Sequence, residues 1–237
     1  MNMKITPFLW SALFISITPV CQANMSVYPM AVDMNDQGEG SVRVISRTND
    51  VQYIKTTVLS VSGRNTPQEK ETEVSVGGDS GLVVMPPKFA LPAGSSKMVR
   101  LVSMAPVQEE TTWRVKFEAV PQLDDESIAN KGVKTQLTLN LIWGVLVSVP
   151  PEHPRLNMSL QTGGKIKNDG NQRFKILKVG LCKKAQSEKA CTWHEVNENI
   201  YPRASYTPKN ILNYDRIVVQ YWDWISKSTN KKDFAIH

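Results

Sequence analysis

The stretch Gln136-Leu137-Thr138-Leu139-Asn140-Leu141-Ile142-Trp143 decides the fold class of this chain. Leucine or tryptophan stands at every second position, and a period of two is typical of a β-strand with one buried face. The pattern continues through Gly144-Val145-Leu146-Val147 and ends at Pro150-Pro151, whose nitrogens cannot donate backbone hydrogen bonds. The sequence therefore predicts a long strand at the end of one folded unit. Its apolar row either completes its own sheet or is offered to another protein.

Other segments with the same alternation predict an antiparallel sandwich, and only short segments have a helical pattern. The alternation is most regular over residues 113–119, where Trp113, Val115 and Phe117 share one face. Trp222 and Trp224 also share a strand face, which favours a place in the core over a ligand platform. Strands at this spacing are typical of antiparallel sandwiches. The predicted strands are 41–46, 51–61, 81–85, 98–104, 113–119, 136–147, 156–160, 173–181 and 216–224.

A proline-rich connector divides the sequence into two units of ordinary domain size. The segment Val149-Pro150-Pro151-Glu152-His153-Pro154 holds three prolines within five residues. Proline fixes the backbone φ angle, so we expect a short, semi-rigid joint that holds the two units at a defined angle. We therefore predict a first domain over residues 24–150 and a second domain over residues 151–237.

The first 23 residues have the pattern of an export signal. Met1-Asn2-Met3-Lys4 is a short basic lead, an apolar run follows over residues 5–20, and Cys21-Gln22-Ala23 ends in a small residue. The apolar run contains Pro7 and Pro19 and is too short for a typical membrane span. A lipid anchor at Cys21 is the alternative. We expect residues 1–23 to be removed and the remaining chain to be exported without membrane insertion.

Two cysteines remain after this cleavage, Cys182 and Cys191. In an oxidising compartment we expect them to form a disulfide that closes a short excursion in the second domain. Two unpaired thiols are the alternative, which export makes less favourable.

The formal net charge of +6 comes from charges that are scattered along the chain. No run of basic residues alternates with aromatic ones, so a solvated surface explains the charges better than nucleic-acid binding does. We therefore expect no nucleic-acid partner. An acidic protein partner, or a single carboxylate, stays open as the group that the positive charge recognises.

The sequence offers no set of residues for catalysis, for a metal or for a cofactor. Gly78-Asp79-Ser80-Gly81 resembles the nucleophile segment of trypsin-like proteases, but those enzymes place their histidine before the serine. Here the histidines are His153, His194 and His237, and no Cys/His spacing suits zinc. We therefore expect neither an enzyme nor a bound metal or cofactor.

Seven segments after residue 23 have a content and order that are found together in one protein family. They are Val42-Arg43-Val44, Gln52-Tyr53-Ile54-Lys55, Gly81-Leu82-Val83-Val84, Leu91-Pro92-Ala93-Gly94-Ser95-Ser96-Lys97-Met98-Val99-Arg100-Leu101, Arg114-Val115-Lys116-Phe117-Glu118-Ala119-Val120-Pro121, Asn168-Asp169-Gly170-Asn171 and Asn199-Ile200-Tyr201-Pro202. In this order they resemble periplasmic pilus chaperones of the chaperone–usher pathway. The resemblance is greatest to the alternate lineage that serves colonisation-factor-type fimbriae.

The resemblance implies an all-β fold of two immunoglobulin-like β-sandwich domains in an L-shaped arrangement. It also implies donor-strand complementation, in which the last strand of the first domain fills the open groove of a fimbrial subunit that lacks its own last strand. On this sequence that role falls on Leu137, Leu139, Leu141 and Trp143. The implied partners are fimbrial subunits, both major pilin and tip adhesin, and an outer-membrane usher. The implied location is the periplasm.

Three alternatives stay open at this point. In the first, the leucines of residues 137–141 pack only the core of their own domain. In the second, the protein is itself a fimbrial structural subunit or adhesin, although Asn24-Met25-Ser26-Val27-Tyr28 leads directly into Pro29 and suits a first strand better than a polymerising arm. In the third, it is an exported hydrolase, which needs a nucleophile–base pair that the sequence does not offer.

The sequence departs from the family in the residues that hold the terminal carboxylate of the fimbrial subunit. Typical members use an arginine on the first strand and a lysine late on the donor strand. Here residues 26–32 and residues 135–154 contain neither lysine nor arginine. We expect Arg114 and Lys116, on the outward face of the strand next to the donor strand, to replace them. A plain solvated face is the alternative for these two side chains.

Overall fold

The computed structural model describes residues 24–74, 81–120, 141–184 and 187–236, which form seventeen strands and two short 3-10 helices. Ten strands come first: β1 (Met25–Tyr28), β2 (Ala31–Asp33), β3 (Glu39–Ser46), β4 (Gln52–Ser62), β5 (Lys70–Val74), β6 (Leu82–Met85), β7 (Lys88–Leu91), β8 (Ser96–Ser103), β9 (Thr111–Val120) and β10 (Trp143–Val149). Seven follow: β11 (Met158–Gln161), β12 (Lys165–Asn168), β13 (Phe174–Cys182), β14 (Thr192–Ile200), β15 (Ser205–Tyr206), β16 (Arg216–Asp223) and β17 (Ser228–Ala235). The helices are Glu188–Ala190 and Ile211–Asn213, and neither is long or apolar enough to cross a membrane.

The first ten strands form a sandwich of two sheets. One sheet has the order β1-β3-β8-β6, and the other has the order β2-β10-β9-β4-β5 with β7 paired to β4. Alternate side chains of these strands fill the space between the sheets, where Ile54, Leu101 and Phe117 are almost fully buried. Pro29, which cannot donate a backbone hydrogen bond, lies between β1 and β2, and these two strands belong to different sheets.

The last seven strands form a second sandwich with a core of its own. Its sheets have the orders β11-β12-β15 and β14-β13-β16-β17. Met158 and Ile166 from the smaller sheet pack in one buried cluster with Phe174, Ile176 and other side chains of the larger sheet. Cys182 and Cys191 form a disulfide with a Cα–Cα distance of 4.5 Å, so the predicted pairing of these cysteines is confirmed.

The all-β sandwich fold is confirmed, but the predicted strand over residues 136–147 is wrong at Leu141 and Ile142. The alternation predicts one strand over residues 136–147, whereas β10 begins only at Trp143. Residues 136–140 lie outside the described residues. Leu141 and Ile142 are described but lie outside any strand, with 48% and 49% of their surfaces exposed. The pairing of β10 with β9 begins at Trp143, so these two residues lack a backbone partner on that strand.

The two sandwiches meet through polar contacts, and no strand of one pairs with a strand of the other within the described ranges. Arg173 of the second sandwich donates a backbone hydrogen bond to Glu110 Oε2 at 2.7 Å, and its guanidinium forms ion pairs with Glu110 and Asp33. Asn171 Nδ2 donates to the backbone oxygens of Gln108 and His153, both at 2.9 Å. These contacts fix the start of β13 against the start of β9.

Candidate functional site

One edge of β10 is paired along only half of its length. On one side, β10 pairs with β9 from Trp143 to Val149. On the other side, β2 pairs with residues 146–148, and Leu146 also donates a backbone hydrogen bond to Met30 O at 3.0 Å. Within the part of the chain that the structure describes, no strand lies beside this edge over residues 143–145. We call residues 143–145 the free half of β10.

Side chains of β10 alternate between the core and the outer face of the sheet. Val145 and Val147 are fully buried in the first core, and Trp143 is partly buried against the same cluster. Gly144 and Leu146 are therefore on the outward face. With a period of two, Leu141 belongs to the row of Trp143, and Ile142 belongs to the opposite face.

The four predicted donor-strand residues have different positions in the structure. Leu137 and Leu139 lie outside the described residues. Leu141 is half exposed and lies just before the free half of β10. Trp143 begins the strand and packs partly against the core of its own sandwich. The role of all four in binding a fimbrial subunit stays a prediction.

Arg114 and Lys116 lie where the sequence predicts, on the outward face of the strand next to β10. Arg114 is opposite Leu146 and Lys116 is opposite Gly144. A Cβ atom at Gly144 would lie 3.1 Å from Arg114 Cδ, so the stem of the arginine lies against the backbone of the free half of β10. The absence of a side chain at residue 144 makes room for this approach. The role of the two cations in carboxylate capture stays a prediction.

Both cations form ion pairs with a glutamate on β5. Glu71 Oε1 accepts a hydrogen bond from Arg114 Nε, and Glu71 Oε2 is 3.0 Å from Lys116 Nζ. Partial burial raises the pKa of Glu71, but the bonds from Lys116 and Arg114 outweigh this effect and the pKa lies below its usual value. Glu71 is therefore ionised at neutral pH and already bridges the two cations.

A second glutamate extends this group of charges. Arg64 Nη1 donates to both carboxylate oxygens of Glu69, at 2.8 and 2.7 Å, and these bonds hold the pKa of Glu69 below its usual value. Glu69 Oε1 is also 3.9 Å from Arg114 Nη2. Three cations and two carboxylates thus form one group, which extends from the outer face of the sheet to the connection between β4 and β5. Alternation along single strands does not reveal Arg64, Glu69 or Glu71, because their proximity to Arg114 depends on strand order.

An open cleft of about 1050 Å³ lies where the two sandwiches meet, and it corrects one sequence expectation. Trp222 and Trp224 line this cleft and are half-buried, so their predicted place in the core is wrong. Their rings contact each other edge to face, and the Arg173 guanidinium lies 4.6 Å from the centre of the Trp224 ring. Trp224 lies beyond the end of β16, where strand alternation no longer fixes the direction of a side chain. Within the described residues, no group of three or more His, Cys, Asp or Glu side chains could hold a metal ion.

Comparison with known families identifies the first sandwich. A family model described as pili and flagellar-assembly chaperone, PapD N-terminal domain, matches residues 25–152. This match covers more than half of the chain and contains all ten strands of the first sandwich. The chain belongs to this chaperone family. The family and the fold are those of chaperones, a class of proteins that is not enzymatic.

Two Escherichia coli proteins are similar to this chaperone over most of its length. The first bears the name of a CFA/I fimbrial subunit and is 33% identical over 206 residues, which cover 85% of this chain and 86% of the relative. The second bears the name of a CS1 fimbrial subunit and is 34% identical over 200 residues, which cover 82% of this chain and 84% of the relative.

Two solved structures are similar to both sandwiches of this chaperone. The crystal structure of the class 5 fimbriae chaperone CfaA is 28% identical, with a TM-score of 0.78, and covers 90% of this chain and 99% of CfaA. A chaperone–tip adhesin complex of CFA/I fimbriae biogenesis is also 28% identical, with a TM-score of 0.74, and covers 91% of this chain and 100% of the matched one. The similarity therefore includes the second sandwich, which the family model leaves largely unmatched.

Proposed function

We propose that this protein is a periplasmic chaperone that binds fimbrial subunits by donor-strand complementation and delivers them to an outer-membrane usher. Membership of the chaperone family and full-length similarity to a fimbriae chaperone support the proposal. The similar chaperone–tip adhesin complex supports a tip adhesin, beside the major pilin, as a partner. A structural subunit or adhesin is not favoured, because the matching family and the two structures compared above are those of chaperones.

The observation that carries the proposal is the free half of β10, which continues into an exposed apolar residue. An unpaired strand edge offers backbone donors and acceptors to an added strand. Leu141 precedes this edge, is half exposed, and shares the alternation of Trp143. We assign Leu137, Leu139 and Leu141 to the groove of the fimbrial subunit. Trp143 is the point where the same row enters the core of the chaperone.

The energies of these contacts suit a chaperone that must later release its subunit. Burial of one leucine contributes about 1.5–3 kcal/mol, so the three leucines supply about 5–9 kcal/mol before the cost of ordering the strand. Each backbone hydrogen bond along the edge adds about 0.5–1.5 kcal/mol. Such a complex protects the subunit, and a strand that fits the groove better can still replace the chaperone.

We also propose the boundaries that this mechanism requires. Residues 1–23 are the export signal, residues 24–150 are the chaperone domain with the donor strand, and residues 151–237 are the second domain. The change of sheet between Val149 and Met158 supports the internal boundary, together with the prolines of that segment. Export to the periplasm agrees with the disulfide between Cys182 and Cys191.

Arg114 and Lys116 are our proposed anchor for the terminal carboxylate of the fimbrial subunit. They lie beside the free half of β10, and their side chains are partly exposed, at 23% and 36%. Arginine and lysine on one strand face can bind the two oxygens of one carboxylate. An added strand next to β10 brings its end close to this pair.

The test of donor-strand binding compares Leu141→Glu with Ile142→Glu. The two residues are adjacent and equally exposed, but period-two alternation places them on opposite faces. Each variant is co-expressed with the fimbrial subunits, and the amount of protease-resistant pilin that copurifies is measured. We expect Leu141→Glu to lower this amount tenfold or more, because a charge replaces a buried apolar group. We expect Ile142→Glu to stay within about twofold of wild type.

Leu139→Glu, on the same row, is expected to reproduce the loss. Full protection by both the Leu139→Glu and Leu141→Glu chaperones would show that the row does not enter the fimbrial subunit. An equal loss with Ile142→Glu would show that the effect is not specific to one face. The melting temperature of each free variant serves as the control for folding.

A further inference from the structure

The Glu71 carboxylate binds Arg114 and Lys116 in the way that the terminal carboxylate of a bound chain would bind them. Its Oε1 accepts from Arg114, and its Oε2 pairs with Lys116. A carboxylate with one oxygen on each cation makes two charge-assisted bonds. A chain end that reached this pair would need the same two bonds. The proposed anchor therefore already holds a carboxylate that belongs to the chaperone itself.

The strand that carries Glu71 is an edge strand with little buried surface. β5 pairs with β4 and lies at the end of its sheet, and four of its five residues are exposed. The paired side chains of Arg114, Glu71 and Lys116 are 23%, 30% and 36% exposed, so water and salt reach these ion pairs and partly screen them. A competing carboxylate can therefore replace Glu71 without disruption of the sheet.

The same cations lie within reach of a strand added to β10. Lys116 is opposite Gly144, and the Arg114 stem lies against the backbone at that glycine. Gly144 belongs to the free half of β10, where an added strand would pair. The incoming chain end and Glu71 thus approach the cations from opposite sides, the one from β10 and the other from β5.

We infer that Glu71 is a placeholder for the terminal carboxylate of the fimbrial subunit, which displaces it on binding. The inference rests on the proposed function, because it needs Arg114 and Lys116 to receive that carboxylate. The subunit carboxylate replaces the Glu71 carboxylate on Arg114 and Lys116. Because one ion pair is lost for each one formed, the anchor adds little to the affinity of the chaperone for the subunit. Glu71 then sets how tightly subunits are held, and it keeps the complex weak enough for release.

The test compares Glu71→Gln with Glu73→Gln. Both changes remove one negative charge from the outward face of β5, but Glu73 forms no ion pair within the described residues. Purified chaperone–pilin complexes are mixed with an excess of tagged wild-type chaperone, and the rate of exchange is measured. We expect exchange to be about three- to tenfold slower with Glu71→Gln, because the competitor is lost. We expect Glu73→Gln to exchange at the wild-type rate.

The slower exchange that Glu71→Gln causes should depend on Arg114 and Lys116. In a background with Arg114→Gln and Lys116→Gln, the further change Glu71→Gln should not slow exchange. The melting temperature of Glu71→Gln should fall by no more than about 3 °C, which shows that the fold is kept.

The outcomes separate this inference from the proposed function. Unchanged or faster exchange with Glu71→Gln would overturn the inference, and it would leave donor-strand binding in place if Leu141→Glu still fails to protect subunits. Equally slow exchange with Glu73→Gln would also overturn the inference, since the loss of one negative charge would then explain the slower rate. Failure of the wild-type chaperone to hold any pilin would overturn both proposals.

Discussion

Glu69 and Glu71 are only two residues apart, but their carboxylates hold different parts of the molecule. Glu69 accepts hydrogen bonds from Arg64 and, at 3.1 Å, from the backbone N–H of Asn65, so it stabilises the turn between β4 and β5. Glu71 bonds to Arg114 and Lys116 across the sheet. Glu69 also lies 3.9 Å from Arg114, but its shorter bonds are to the turn, so a substitution at Glu69 tests mainly the stability of that turn. A substitution at Glu71 tests the anchor.

The stabilisation from Glu69 should depend on pH with a defined sign. The bonds from Arg64 lower the pKa of Glu69 in the folded protein, so its contribution is complete above the unfolded pKa of about 4.5 and is lost as the pH falls through the folded value. We expect Glu69→Gln to lower the melting temperature by about 1–3 °C at pH 7. The difference in melting temperature should shrink as the pH falls below about 4.5, which thermal unfolding of both proteins at several pH values measures. A difference that stays constant or grows as the pH falls through the acid range would contradict this assignment.

At the residue scale, the sequence predicts the position of a side chain where that position follows from alternation along one strand. Arg114 and Lys116 lie on the expected face because residues 113–119 alternate without interruption. Glu71 cannot be found in this way, because its contact with Arg114 depends on β5 joining the edge of that sheet. The position of Trp222 and Trp224 is not predictable from one strand either, because the packing of the second sandwich against the first decides which side chains line the cleft.

The connection between β13 and β14 shows how one covalent bond stabilises an element. Cys182 ends β13, Cys191 immediately precedes β14, and nine positions separate them in the sequence. Both cysteines are buried in a small cluster with Val218, against which Trp193 packs. The disulfide therefore closes the connection and also fills the small core beneath it.

Removal of this bond should have a measurable cost. We expect the double variant Cys182→Ala and Cys191→Ala to lose about 2–3 kcal/mol of unfolding free energy, since a short loop is no longer closed in the unfolded chain. Urea denaturation measures this loss. Dithiothreitol should lower the stability of the wild-type protein by a similar amount and leave the variant unchanged. An equal effect of dithiothreitol on both proteins would contradict the assigned role of the bond.

At the element scale, prediction succeeds for strands with one buried face and fails for strands that bury little. β9 covers the predicted strand over residues 113–119, because alternating burial along it leaves a readable pattern. The sequence of β5 is Lys70-Glu71-Thr72-Glu73-Val74, which has no apolar alternation and predicts no strand. This strand forms because its backbone pairs with β4. Backbone pairing requires no particular side-chain composition, so the sequence pattern does not indicate it.

At the scale of the whole molecule, buried and exposed charges both join the two sandwiches. Arg173 and Glu110 form a buried pair, with 7% and 0% of their side chains exposed. Burial raises the pKa of Glu110, and the charge and hydrogen bonds of Arg173 act against this effect. Arg203 and Glu109 form a second pair between the sandwiches at 2.7 Å, but there the side chains are 80% and 37% exposed. Both pairs join an arginine to a glutamate, but Arg173 is buried and also pairs with Asp33, whereas the Arg203–Glu109 pair is open to water.

This difference predicts unequal effects of two matched substitutions. Arg173→Ala leaves the Glu110 carboxylate buried without its cation, which should lower the free energy of unfolding by about 3–5 kcal/mol. Arg203→Ala removes a solvent-screened pair and should cost about 1 kcal/mol or less. Urea denaturation of both variants at neutral pH measures the two losses. Because the Arg173 contacts fix the start of β13 against the start of β9, small-angle scattering of Arg173→Ala should also show a wider range of angles between the sandwiches. Equal losses for the two variants would mean that the buried contacts of Arg173 do not determine how firmly the sandwiches are joined.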